Sequence, residues 1–182
     1  MLSKKLKRKI TNYRYRYGKG ISISKALRRS NKEDKQRSIN ELSIFYLSGT
    51  PAPMFSFIVK ASGKHMFNEF GVKKNHIAKK HKVNILFDTS NADYSMSPLE
   101  LIRSLPVKYE CGCGRHTYYY RFIWTIGLKS SLGLQQTQYP LIRNKPLKGV
   151  LCKHGIKVMD SLWKGKHLKA FERFIEKNKR KD

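Results

Sequence analysis

Short segments in which apolar and polar residues alternate predict a set of β-strands in this chain. Val83, Ile85 and Phe87 alternate with polar residues, and residues 54–61 are rich in Phe, Ile and Val. Alternation with a period of two places one set of side chains on a buried face. We therefore predict strands near residues 54–61, 82–88, 107–111 and, where Tyr and Phe are dense, 116–125.

Other apolar residues recur at near-helical spacing and predict helices. Residues 38–47 carry such a cluster, which the Gly and Pro residues of 49–53 end. A second helix is predicted to start at Ser97, because Ser97 can cap it and Glu100 can complete a capping box, and to stop before Pro106. A basic, mildly amphipathic helix is predicted from Asp160 onward. Together these elements predict an α+β fold with helices against one face of a small antiparallel sheet.

The charge of the chain is strongly unbalanced. Of its 182 residues, 39 are Lys or Arg and 12 are Asp or Glu, which gives a formal net charge of +27. Such a domain repels itself, and a nearby polyanion, most commonly nucleic acid, relieves the repulsion. A lysine-rich protein that is merely soluble is the alternative interpretation. No apolar run of membrane-spanning length, no secretory signal segment and no basic helix with a clean apolar face is visible, so we expect a soluble protein without a membrane partner.

Basic residues are dense at both ends of the chain. We interpret residues 1–37 as an extended basic arm, 38–163 as the α+β domain and 164–182 as a basic helix and tail. Residues 1–20 have few aliphatic side chains with which to form a core of their own. We therefore expect them to become ordered only when a partner binds them. Residues 13–17 alternate Tyr and Arg, which suits base stacking with phosphate contacts or, equally, an edge strand. The candidate nucleic-acid contacts are Lys4, Lys5, Lys7, Arg8, Lys9, Arg14, Arg16, Arg28 and Arg29.

All three cysteines lie in two tight pairs of metal-ligand residues. Cys111 and Cys113 flank a glycine, which lets the backbone turn both sulfurs toward one ion, and Cys152 is followed two positions later by His154. Three Cys and one His form a common structural zinc set, and two ligand pairs would clamp two distant segments together. These residues therefore predict a zinc site that makes residues 38–163 a zinc-binding domain. The alternative is three ordinary buried cysteines, and His116 is a rival to His154 as the fourth ligand.

The order CxC followed by CxH resembles SWIM-type zinc fingers over about residues 107–163. The spacer, residues 114–151, is longer than is usual in that family. The resemblance implies that CxC lies on a β-hairpin and that CxH opens a helix. It also implies that one zinc ion is bound by Cys111, Cys113, Cys152 and His154.

A longer stretch, residues 97–163, resembles virion structural proteins of large tailed bacteriophages. The residues that carry this resemblance are the CxC segment 104–116, the aromatic and arginine run 118–121, Ile142-Arg143-Asn144 and the closing segment 149–154. The resemblance implies a component of the phage head or neck, present in symmetric copy number with other virion proteins. It also implies synthesis in the host bacterial cytoplasm and a final location in the virion.

The motifs of common enzymes are absent from the sequence. It has no P-loop, GxSxG, HExxH or Rossmann glycine pattern, and its acidic residues are too scattered for a metal nuclease. We therefore expect a non-enzymatic protein without a small-molecule substrate. The sequence favours a zinc-stabilised particle component whose basic ends contact DNA or acidic neighbours. The alternative is a zinc-containing nucleic-acid-binding protein, such as a ribosome-associated or DNA-processing factor.

Overall fold

An antiparallel sheet forms the centre of the fold. The computed structural model describes residues 20–40, 42–49, 54–61, 66–67, 73–74 and 80–179. The sheet has the order β1-β7-β6-β3-β2, and a separate two-stranded ribbon pairs β4 with β5. The strands are β1 Ile21–Ser22, β2 Leu42–Gly49, β3 Met54–Ala61, β4 Met66–Phe67, β5 Lys73–Lys74, β6 Lys80–Phe87 and β7 Pro106–Cys111.

Five α-helices and a π-helical segment complete the described part of the chain. The helices are α1 Ile23–Arg28, α2 Lys32–Asn40, α3 Pro98–Ser104, α4 Lys153–Trp163 and α5 Leu168–Lys179. Between β7 and α4 the chain makes two π-helical turns, His116–Tyr120 and Ile123–Gly127. None of the helices in these described ranges is both long and apolar enough to cross a membrane.

The strands predicted near residues 54–61, 82–88 and 107–111 are confirmed. Val83, Ile85 and Phe87 of β6 are buried, as are alternate residues of β3 and β7, so one face of the sheet carries the core. Helices cover this face, since Phe171 of α5 packs against Phe87 with ring centroids 5.0 Å apart. The capping box at Ser97 and Glu100 is also confirmed. The fold is therefore α+β, with a small antiparallel sheet and several helices.

The predicted helix over residues 38–47 is wrong in most of its length. Helix α2 ends at Asn40, and Leu42–Gly49 forms β2, which pairs with β3 from Leu42 opposite Ala61 onward. A short apolar run fits a helical and a strand pattern equally well, so its own sequence does not decide between them. The unpaired edge of β3 decides here, because its backbone groups need hydrogen-bond partners.

The predicted strand over residues 116–125 is also wrong, because this segment is helical. Its buried residues are His116, Tyr120, Phe122, Ile123, Trp124 and, just beyond it, Gly127. Among them, His116, Tyr120, Ile123 and Gly127 recur three or four positions apart, as residues on one face of a helix do. The density of Tyr and Phe drew the prediction toward a strand, and the aromatic residues are better explained by burial around a helix.

Part of the segment interpreted as an extended arm belongs to the core. Residues 20–37 form β1, α1 and most of α2, and Ile21, Ile23 and Ala26 are buried. The extended conformation is therefore wrong for these residues, whereas the domain boundaries at 37 and 163 stay predictions. Seven candidate contacts, Lys4, Lys5, Lys7, Arg8, Lys9, Arg14 and Arg16, lie outside the described residues.

Asp34 of α2 ties this N-terminal part to the π-helical segment. Its carboxylate is buried and accepts hydrogen bonds from the Tyr120 hydroxyl and from Arg115, whose Nη2 lies 3.1 Å from Oδ2. Burial, together with the bond to Asp34, raises the pKa of Tyr120, so its hydroxyl remains a donor. The basic α2 is thus held by one of the few acidic residues of the chain.

Replacing Asp34 by Ala is expected to destabilise the fold. The change leaves Arg115 and Tyr120 without their partner, which costs about 3 kcal/mol of unfolding free energy for a buried charge pair. Glu33→Ala is the matched control. Glu33 is on the same helix and also contacts Arg115, but its side chain is 64% exposed, so its loss should cost less than about 1 kcal/mol. Urea unfolding measures both, and equal losses would contradict the assigned role of Asp34.

Candidate metal centre

The four predicted ligand residues lie together in the core. Their ligand atoms are all within 4.8 Å of one another, and all four residues are buried. The Nδ1 atom of His154 lies 3.8 Å from the Cys111 sulfur and 4.0 Å from the Cys152 sulfur. Tetrahedral ligands at bond lengths of about 2.0–2.3 Å are separated by about 3.5–3.8 Å, so these residues fit one metal ion. The group is a plausible metal site built from the two ends of a long connection.

Local structure places each pair of ligands. Cys111 is the last residue of β7, and the amide of the following Gly112 donates to the Lys82 carbonyl of β6 at 3.0 Å. Cys113 precedes the helical residues 114–127, and the backbone amide of His116 donates to its sulfur at 3.3 Å. Cys152 is the N-cap of α4, and His154 lies in the first turn of that helix. Backbone amides at helix starts favour anionic ligands, and they suit thiolates in the same way.

Tyr109 forms the floor of the site. It is fully buried on β7, two residues before Cys111, and its hydroxyl lies 3.0 Å from the Cys152 sulfur. Burial, with the nearby thiols, raises the pKa of Tyr109 well above its ordinary value, so the hydroxyl stays protonated. A protonated hydroxyl donates to a thiolate, and such donors orient and stabilise metal ligands.

Gly155 allows α4 to approach Tyr109. Glycine is a poor helix former, and Gly155 nevertheless lies in the first turn of α4. A Cβ atom at this position would lie 2.3 Å from the Tyr109 hydroxyl oxygen and 2.6 Å from Cζ. The missing side chain therefore lets the helix bring Cys152 and His154 to the end of β7.

The pKa values of Cys111 and Cys113 are shifted in opposite directions. Hydrogen bonds from Cys111 and Cys152, with backbone amides, lower the pKa of Cys113 to about 4. The same interactions, with burial, raise the pKa of Cys111 well above its ordinary value. The cluster thus forms a thiolate readily at one sulfur, and a bound cation stabilises the thiolate form of all three.

His116 lies beside the cluster but outside the group of ligand atoms. Its ring packs edge-on against Tyr109, with centroids 4.8 Å apart, and its Nε2 lies 3.4 Å from Glu110 Oε2. Glu110 also pairs with Arg121. Burial raises the pKa of Glu110, but the bonds and charges of His116 and Arg121 outweigh this effect and lower it. The arrangement favours His154 as the fourth ligand and gives His116 a supporting position.

His81 is a neighbour of the site that the sequence did not reveal. Its ring centroid lies 4.4 Å from that of His154, and it is located on β6, two residues before Val83, which pairs with Cys111. Burial and the adjacent His154 lower the pKa of His81, so a neutral ring is favoured there. Tyr109, by contrast, could have been found from the sequence. Residues two positions apart on a strand lie on the same face, so Tyr109 shares the buried face of β7 with Cys111.

Comparison of the chain with known protein families, curated proteins and solved structures gave no match. The four residues of the CxC and CxH pattern are the four that the structure brings together. CxH opens helix α4, as the resemblance implied. CxC does not lie on a β-hairpin, because β7 is followed by the helical residues 114–127.

Replacing Tyr109 by Phe is expected to weaken metal binding. The variant loses the hydroxyl donor to Cys152 and keeps the ring that fills the core, so metal affinity should fall by about tenfold. Tyr118→Phe is the control, because Tyr118 is 61% exposed and should leave affinity unchanged. Competition with a chromophoric zinc chelator measures both affinities. Equal affinity of Tyr109→Phe and the unmodified protein would rule out the hydroxyl as a supporting donor.

Proposed function

We propose that the cluster binds one zinc ion and that this zinc is structural. The observation that carries the proposal is the set of four buried protein ligands within 4.8 Å of one another. Three thiols and one imidazole are soft and borderline donors, which suit zinc and do not suit magnesium or calcium. Four protein ligands fill a tetrahedron, whereas a catalytic zinc keeps one position for water or substrate.

The proposed zinc joins segments that are far apart in sequence. Cys111 and His154 are separated by 43 positions, so the ion would fix the start of α4 to the end of β7. Closing a long loop in this way removes disorder from the unfolded chain. A chain with a charge of +27 needs such a constraint more than a neutral one does, because its like charges oppose a compact state.

Purified protein is expected to contain about one zinc per chain by elemental analysis. Cys152→Ser should lose the metal and unfold at a lower temperature, because folding and metal binding are coupled. His116→Gln is the control, because His116 is the alternative to His154 as the fourth ligand. This variant should retain the metal. Release should increase as pH falls, because protons compete with zinc for the thiolates. Zinc-free protein with unchanged stability would contradict the proposal.

At the level of the whole protein, we propose a non-enzymatic structural component of a tailed-phage particle, in the head or neck. Three features support this function: the resemblance over residues 97–163, the closed ligand set of the cluster and the excess of positive charge. A zinc-fixed body would set the position of the protein, and basic residues would neutralise the phosphates of packaged DNA without reading bases. Arg28, exposed on α1, and its partly buried neighbour Arg29 are the candidate contacts within the described residues.

A zinc-containing nucleic-acid-binding protein is the second candidate. The charge of +27 favours it as strongly as it favours a particle component. The two functions differ in stoichiometry, since a particle component occurs in a fixed symmetric copy number. A reversible binding factor instead shows an affinity for free nucleic acid that falls steeply with salt concentration.

The particle proposal predicts that purified virions contain this chain in a fixed copy number, measured by quantitative mass spectrometry and electron microscopy. Deleting residues 1–20 should impair assembly or genome retention, because the deletion removes basic residues from the particle. The zinc content of the deletion variant is measured as a control. Unchanged zinc content would show that the variant is still folded, so that an assembly defect comes from the lost basic residues. Virions that lack the chain would refute the particle role and leave the zinc proposal standing.

A further inference from the structure

A groove lies between α1, α2 and α4, and none of the four clustered Cys and His residues lines it. Its volume is about 710 Å³, and its apolar floor consists of Leu27, Ile156 and Trp163. Trp163 is 38% exposed although it is a large aromatic residue. Its indole N–H donates to Ser24 Oγ at 3.2 Å, and the Arg103 guanidinium lies 4.7 Å from the centre of its ring. The floor is therefore held in place before anything binds to it.

The rim of the groove is basic. Arg28, Lys35, Lys157 and Lys164 line it. The only acid among the lining residues, Asp160, is paired with Lys164 at 2.7 Å. Among the residues that the structure describes, Arg28, Lys35 and Lys157 have no ion-pair partner. Three cations thus surround an apolar surface without a counter-charge from the described protein.

The dimensions of the groove set the size of its occupant. Residues 156–164 of α4 and its C-cap run along one wall, which is about 12 Å at 1.5 Å per residue. An extended peptide advances about 3.3 Å per residue, so about four residues span this wall. One or two apolar side chains could reach the floor while their neighbours face the rim.

This chain does not offer the complementary charge itself. It has 12 acidic residues in all, and no more than two of them, Glu33 and Asp34, are adjacent. Both of these contact Arg115. A second copy of the chain therefore presents no acidic segment, and a partner of different composition is required.

We propose that the groove between α1, α2 and α4 binds an extended acidic segment of another protein, with apolar side chains on the floor and carboxylates against the rim. A nucleic acid strand complements this surface less well. Its phosphates would satisfy the rim but leave Leu27 and Ile156 uncovered, and one face of the Trp163 ring is already occupied by Arg103. The inference goes beyond the proposed function, because it requires neither zinc nor a virion.

Fluorescence anisotropy with a labelled peptide of alternating Glu and Leu tests the proposal on the full-length protein. Arg28→Glu combined with Lys157→Glu should weaken binding at least about tenfold, because charges at the rim are reversed. Lys108→Glu combined with Lys145→Glu makes the same change in net charge at exposed residues outside the groove, and should weaken binding less than about twofold. Replacing every Leu of the peptide by Ser should weaken binding about tenfold, because the floor is then left uncovered.

The same measurement with a labelled oligothymidylate of similar charge tests whether the groove binds nucleic acid instead of an acidic peptide. If the groove variant loses oligothymidylate binding while the Glu-Leu peptide does not bind, the groove is a nucleic-acid site and the proposal is overturned. Equal losses in the two charge-reversed variants, or equal binding of the Ser peptide, overturn it as well. Thermal unfolding checks that each variant folds, and Arg28→Gln combined with Lys157→Gln replaces the reversed pair if that pair does not fold.

Discussion

The meeting of the end of β7 with the start of α4 is the contact on which the arrangement of this protein depends. Cys111 and Cys113 come from one side, Cys152 and His154 from the other, and all four are buried. Buried polar groups are costly unless they are paired, and three thiols with an imidazole cannot satisfy one another fully. A shared metal ion, as proposed, would resolve this requirement. Tyr109 and Gly155 show that the surrounding chain is shaped for the same contact, one by its hydroxyl and the other by its missing side chain.

One buried and one partly buried acid have a related role for the helical segment that follows the CxC pair. Asp34 of α2 holds Arg115 and Tyr120, and Glu110 of β7 contacts His116 and Arg121. In a chain with 39 basic and 12 acidic residues, these acids are placed where they pair with internal cations. By contrast, Arg28, Lys35 and Lys157 line one groove, and none of the acids in the described residues forms an ion pair with them. The fold thus uses two acidic residues for ion pairs near the helical segment and leaves the cations of the groove without acidic partners.

Sequence patterns predicted those parts of the fold in which local and tertiary preferences agree. Val83, Ile85 and Phe87 alternate because β6 has one buried face, and Ser97 and Glu100 form a capping box within a single turn. The clustering of Cys111, Cys113, Cys152 and His154 was also predictable, since all thiols of the chain fall in two short segments. Residues 42–47 were misassigned to a helix because pairing with the next strand, β3, selects the extended conformation, and the spacing within these residues does not reveal that pairing. His81 reaches His154 only through the register of β6 and β7, and spacing along the chain contains no sign of that register.

The most direct test of the account is the metal environment itself. X-ray absorption at the zinc edge of the purified, full-length protein measures the identity and distance of the ligands. The account predicts three sulfur ligands at about 2.3 Å and one nitrogen ligand at about 2.0 Å, with no bound water. A spectrum with an oxygen ligand in place of a sulfur, or protein that binds no zinc at all, would contradict it.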